Sequence, residues 1–79
     1  RAADQGSSRS QFCLGSMYDE GRGVEQDATE AARWYGKAAE QGYVDAQINL
    51  GLMYQNGRGV VQDHDEAARL FRAASDALP

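Results

Sequence analysis

Apolar residues recur along this chain at i, i+3, i+4 and i+7 in two places. Ala31, Trp34, Tyr35 and Ala38 make one stripe, and Ala67, Leu70, Phe71 and Ala74 make the other. That spacing puts four side chains on one side of a helix and predicts a helix buried along that face. Each stripe follows an aspartate with a glutamate three residues on, Asp27 with Glu30 and Asp63 with Glu66. The pattern predicts a capping box at each helix start. A further helix is predicted ahead of each of these, from about Ser8 to Glu20 and from about Asp45 to Asn56. Ser7 or Ser8 and Asp45 are the candidate N-caps, and Gly21 and Gly57 the stops. The Gly-Arg-Gly-Val loops between helices should fold Val24 and Val60 back onto the helix pair.

The two halves say the same thing. Leu14–Asp27, LGSMYDEGRGVEQD, aligns with Leu50–Asp63, LGLMYQNGRGVVQD, at an offset of 36 residues. A fixed period in this range marks a stacked-repeat architecture. Residues 1–6, RAADQG, echo residues 37–42, KAAEQG, so they read as the end of a preceding repeat, with Gly6 and Gly42 closing their helices in the left-handed conformation. The expected divisions are 1–6, a first full repeat over 7–42 and a second over 43–79. The fold class is all-α, with antiparallel helix hairpins stacked into a solenoid. About three repeats are normally needed to bury a continuous core. The chain is therefore expected to be a segment of a longer array or to self-associate.

Composition changes this picture little. The chain has 79 residues and a formal net charge of −4, which disfavours a nucleic-acid backbone or an anionic lipid surface. No apolar run approaches the roughly 18 residues that suggest a membrane span. Cys13 is the only cysteine, so there is no internal disulfide, and it is expected to be a small half-buried side chain.

Leu14-Gly15-x-x-Tyr18 with Ala31-x-x-x-Tyr35, and Leu50-Gly51-x-x-Tyr54 with Ala67-x-x-x-Phe71, resemble the tetratricopeptide pattern. The 36-residue period, the Gly-x-Gly-Val loop, and the AEQG and NGRGV phrases resemble the Sel-one-like repeat (SLR) family more closely. That resemblance implies a right-handed α/α superhelix acting as a scaffold or adaptor in protein complexes, without catalysis or cofactor. Some secreted members of the family pair cysteines within each repeat and have been linked to penicillin-type ligands. This chain has no such pair. A hydrolase or binder of cell-wall or β-lactam-type ligands is the alternative, and a purely structural or self-associating spacer is another.

Comparing the two copies suggests where a partner would bind. On the first helices, Gln11, Leu14, Gly15, Met17 and Tyr18 recur as Gln47, Leu50, Gly51, Met53 and Tyr54. The positions that change are Phe12/Ile48, Cys13/Asn49, Ser16/Leu52, Asp19/Gln55 and Glu20/Asn56. At 100° per residue they form one sector of the helix. These ten residues are the candidate binding surface for a protein or peptide, on a concave face lined by the first helices. The alternatives are that this sector is merely solvated, or that its apolar members cover the junction between repeats. Tyr18 and Tyr54 are expected in the core with a hydrogen-bonded hydroxyl, and Trp34 as packing. Arg22 and Arg58 should bond local carbonyls. His64 has no second histidine or cysteine at ligand spacing, so no metal site is expected.

Overall fold

The computed structural model describes residues 2–78, and their side chains from position 7 onward. Arg1 and Pro79, the outermost residues of the expected divisions, lie outside the described residues. Four helices follow one another: α1 (Ala2–Glu20), α2 (Ala28–Glu40), α3 (Val44–Asn56) and α4 (His64–Ala77). They form two hairpins, α1 against α2 and α3 against α4, and α2 packs against α3 to stack one hairpin on the other.

The second helix of each hairpin begins as its sequence demands. The Asp27 carboxylate accepts from the Glu30 backbone N–H at 3.1 Å, and that of Asp63 from Glu66 at 3.0 Å. The reciprocal half of the box is arranged differently. Glu30 and Glu66 turn forward to Arg33 and Arg69, while the N–H of Asp27 donates to the Tyr18 carbonyl and that of Asp63 to the Tyr54 carbonyl, both at 2.9 Å. One bond therefore satisfies the orphaned donor of one helix start and the orphaned acceptor of the preceding helix end. The intervening loop is held by Gln26 and Gln62, whose amides donate to the carbonyls of Asp19 and Gln55 at 2.8 Å.

Two expected caps are overturned. The N-cap of α3 is Tyr43, which makes no side-chain cap bond, and Asp45 lies inside the first turn. α1 runs from Ala2 without interruption, so Gly6 ends no helix and neither Ser7 nor Ser8 starts one. Gly42 does turn left-handed, with φ +84°. There the reversal is secured by the Tyr43 N–H on the Ala38 carbonyl and by the Tyr43 ring against Phe12. Ser7 stands where Tyr43 does in the next copy and brings no ring to anchor a reversal, so the helical hydrogen bonds simply continue. Ser8 is instead buried, its hydroxyl donating to Gln41 Oε1 at 2.7 Å.

The core is built around the two predicted stripes. Ala31, Tyr35 and Ala38 of α2 and Ala67, Leu70 and Ala74 of α4 are buried. α2 buries a second face as well, Ala32 and Ala39, because it lies between α1 and α3. Val60 folds back onto the core. Trp34 sits at the edge of its stripe, half-buried, with Lys37 Nζ at 4.8 Å and Arg33 Cζ at 5.4 Å from the ring centroid. Tyr18 and Tyr54 are half-buried against the core, and the bonded tyrosine hydroxyl belongs to Tyr35 instead.

Candidate partner-binding site

α1 and α3 bring part of the changing sector together. A cavity of about 180 Å³ is lined by Asp19 at the end of α1, by Asn49, Leu52, Met53 and Asn56 along α3, and by Arg58 of the following loop. Asn49, Leu52 and Asn56 fall at i, i+3 and i+7, which aligns them on one side of α3. Leu52 is 44% exposed, one of the few large apolar side chains so open to solvent.

The wall behind this cavity is a polar network centred on Tyr35, which is 1% exposed. Its hydroxyl lies 3.2 Å from Ser16 Oγ and donates to Asp19 Oδ2 at 3.3 Å. Burial pushes the phenol above its ordinary value, against the opposing pull of hydrogen bonds with Ser16 and Asn49. Tyr35 thus stays neutral at physiological pH and serves as a fixed strut between helices. Asp19 is also an ion-pair partner of Arg58, which in addition donates to the Asp19 carbonyl at 3.3 Å. Arg58 therefore reaches back into the preceding repeat, where the sequence alone suggested a bond to its own loop. Arg22 stays local and pairs with Glu20 at 2.6 Å. The site offers amide groups, an ion pair and two apolar side chains, of which Leu52 is the exposed one, a set suited to recognition.

The remaining candidates are dispersed. Phe12 is half-buried between the rings of Tyr35 and Tyr43, with centroids at 5.4 and 5.2 Å, and spaces α1 from the neighbouring repeat. Ser16 faces Tyr35. Glu20 is engaged by Arg22, Ile48 is half-buried, and Gln55 is exposed. Cys13 is exposed, not half-buried, because it lies on the open side of α1. His64 is exposed at the start of α4, and among the described residues no cluster of three or more His, Cys, Asp or Glu is placed to hold a metal ion. No described helix is long and apolar enough to cross a membrane. Sequence comparison missed Arg58 and Met53, which recur in both copies and so counted as invariant. The signal for Arg58 was the loss of its partner, since Asp19 becomes Gln55 in the next copy.

Known proteins resolve the family. A Sel1 repeat protein from Oxalobacter formigenes is 45% identical, with a TM-score of 0.85 over 87% of this chain and 28% of its own. The c5321 protective antigen of uropathogenic Escherichia coli strains, which displays an SLR fold, is 46% identical with a TM-score of 0.87 over 96% of this chain and 16% of its own. Helicobacter pylori cysteine rich protein B is 31% identical with a TM-score of 0.86 over 90% of this chain and 53% of its own. The chain thus spans about half or less of the length of each. No curated protein matches it. Such repeats are helical scaffolds generally involved in protein interactions and generally without catalysis. The Sel1 repeat family model matches residues 8–43 and 44–77. With two consecutive repeats matched over nearly all its length, this chain belongs to the Sel1 repeat family.

Proposed function

We propose that the chain is a protein-interaction module that binds a partner protein or peptide across α1 and α3, at the cavity between Asp19 and Asn56. The observation that supports this is a coincidence of two kinds of evidence. Four of the six residues lining the cavity, Asp19, Asn49, Leu52 and Asn56, are positions at which the two repeats differ. Most positions that join the two helices of a hairpin recur in both copies, among them Leu14/Leu50, Gly15/Gly51, Ala31/Ala67 and Ala38/Ala74, so the variation at Asn49, Leu52 and Asn56 gathers on the exposed side of one cavity. Exposed Leu52 provides an apolar anchor, and the asparagine amides provide directional hydrogen bonds around it, the mixture of apolar centre and polar rim that interfaces use.

The test compares two surface substitutions in a partner-capture experiment with site-specific crosslinking. Leu52→Glu combined with Asn56→Ala should abolish capture of whatever partner the parent chain retains, with helicity unchanged by circular dichroism. Val61→Glu, at a site 87% exposed and outside the cavity, should leave capture intact. Retention of the partner by the first variant rejects this site.

A further inference from the structure

One stripe of α4 carries, at every step, a shorter side chain than the same stripe of α2. Trp34, Lys37 and Gln41 fall at i, i+3 and i+7, and 36 residues on they become Leu70, Ala73 and Ala77. Leu70 and Ala73 line a cavity of about 540 Å³ between α4 and α2. Gly36 and Ala39 of α2 line its other side, and Leu50 and Tyr54 come from α3, which packs against both helices. What the shortening removes can be read from the first repeat, where Gln41 Nε2 donates to Gln11 Oε1 at 2.9 Å. Gln47, the counterpart of Gln11, lines the cavity and is only 7% exposed. Its Nε2 donates to the Ala39 carbonyl at 3.3 Å, which fixes the direction of the amide. Its Oε1 is buried and has no donor among the described residues, Ala77 standing where the first repeat has Gln41. A buried acceptor without a donor is costly, so a group that brings an N–H to it gains by doing so.

Charge narrows the choice of occupant. Two carboxylates border the cavity, Glu40 and Glu66. Glu66 is neutralised by Arg69, whose Nε and Nη2 both donate to it. Glu40 enters none of the ion pairs among the described residues, and Lys37, three positions before it, has its Nζ 4.8 Å from the Trp34 ring centroid. The lining therefore holds one unbalanced negative charge beside an apolar bed. We infer that this cavity takes the cationic side chain, arginine or lysine, of a partner polypeptide. The cation supplies an N–H to Gln47 Oε1 and a positive charge to Glu40, and its methylene stem lies along Leu50, Leu70 and Ala73. The occupant restores what Lys37 and Gln41 bring to the same register one repeat earlier, a positive charge and an N–H donor. This cavity shares no lining residue with the one between α1 and α3, and the inference does not depend on the partner site proposed there.

The test titrates the chain with the blocked tripeptide acetyl-Gly-Arg-Gly-amide in dilute buffer and follows proton–nitrogen correlation spectra. The Gln47 side-chain amide and the Glu40 and Ala73 backbone amides should shift saturably, while the Asn49 and Asn56 side-chain amides stay in place. Acetyl-Gly-Gln-Gly-amide should bind about threefold more weakly, because it loses a solvent-screened charge pair. The arginine peptide should lose about the same factor on Glu40→Gln. Ala73→Lys, which sets the first repeat's own cation at this register, should remove the saturable shifts with helicity unchanged. No saturable shift with the arginine peptide, equal binding of the glutamine peptide, or a Glu40→Gln chain that titrates like the parent would each overturn the inference. So would a folded Ala73→Lys chain that still binds the peptide. Shifts confined to Asn49 and Asn56 would overturn it as well, while leaving the site between α1 and α3 standing.

Discussion

Gly15 lies directly beneath the ring of Tyr35, so close that a Cβ on Gly15 would stand 2.7 Å from Cδ1 and 2.8 Å from Cε1. The second hairpin repeats the relationship with Gly51 under Phe71, where the shortest such distance, to Cε1, is 2.6 Å. Both contacts join the first helix of a hairpin to the second. They explain why a glycine, normally unfavourable inside a helix, stands at the same place in both copies.

Gly15→Ala and Gly51→Ala should each therefore destabilise the fold by about 1–2 kcal/mol. The helix-propensity gain of roughly 1 kcal/mol is outweighed by an overpacking cost that reaches about 3 kcal/mol. Thermal melts should show Tm lowered by roughly 5–10 °C. An alanine variant that melts with or above the parent would mean the rings move aside freely.

Tyr35→Phe removes a hydroxyl bonded to Ser16 and Asp19 and should cost about 1 kcal/mol at neutral pH. It should also change the alkaline limb. Burial raises this phenol above its ordinary value of 10.0. A folded-state value raised above the unfolded one gives stability that is complete below about pH 10 and lost as pH rises through the folded value. Denaturant melts between pH 9 and 11 should show the parent losing more stability than the variant over that range.

Asp19 and Arg58 form an ion pair that joins α1 to the loop of the next repeat. Arg58 is 43% exposed, so solvent screening holds the coupling to at most about 1 kcal/mol. A double-mutant cycle with Asp19→Asn and Arg58→Gln should return a coupling of that size in dilute buffer and a smaller one in about 0.5 M salt. A salt-independent coupling would point to packing of the arginine stem as its source.

Asp27→Ala and Asp63→Ala should each cost about 1 kcal/mol through the lost N-cap, measured by urea unfolding. The serine variants should recover most of the loss, since a hydroxyl can accept the same N–H. The glutamates three residues on should matter less, because they bond Arg33 and Arg69 and leave the Asp27 and Asp63 amides to the Tyr18 and Tyr54 carbonyls.

How far the candidate site could be read in advance depended on which contacts lie within one repeat. Comparing the copies picks out Asn49, Leu52 and Asn56, which line one cavity, because they share a turn-by-turn sector of α3 and need no distant partner to be placed. Phe12 met the same criterion and proved to be a spacer between Tyr35 and Tyr43. Its role depends on two rings contributed by other elements, and helical position on α1 carries no information about them. Arg58 was missed for the mirror-image reason. It recurs in both copies, yet only one copy has a preceding Asp19 to reach.

The sequence by itself determined that four helices follow one another, that Asp27 and Asp63 cap α2 and α4, and that α1 and α3 stop at Gly21 and Gly57. Those depend on residues within a few positions of each other, and on a period that two copies make visible. The tertiary structure alone decided that α1 passes straight through Gly6 while Gly42 turns, and that Tyr35, rather than Tyr18 or Tyr54, carries the bonded hydroxyl. Each of those outcomes is set by what lies across the interface: a ring at Tyr43 that Ser7 lacks, and the Ser16 and Asp19 groups facing α2. Local preference is written along the chain, whereas a packing partner exists only once the helices have come together.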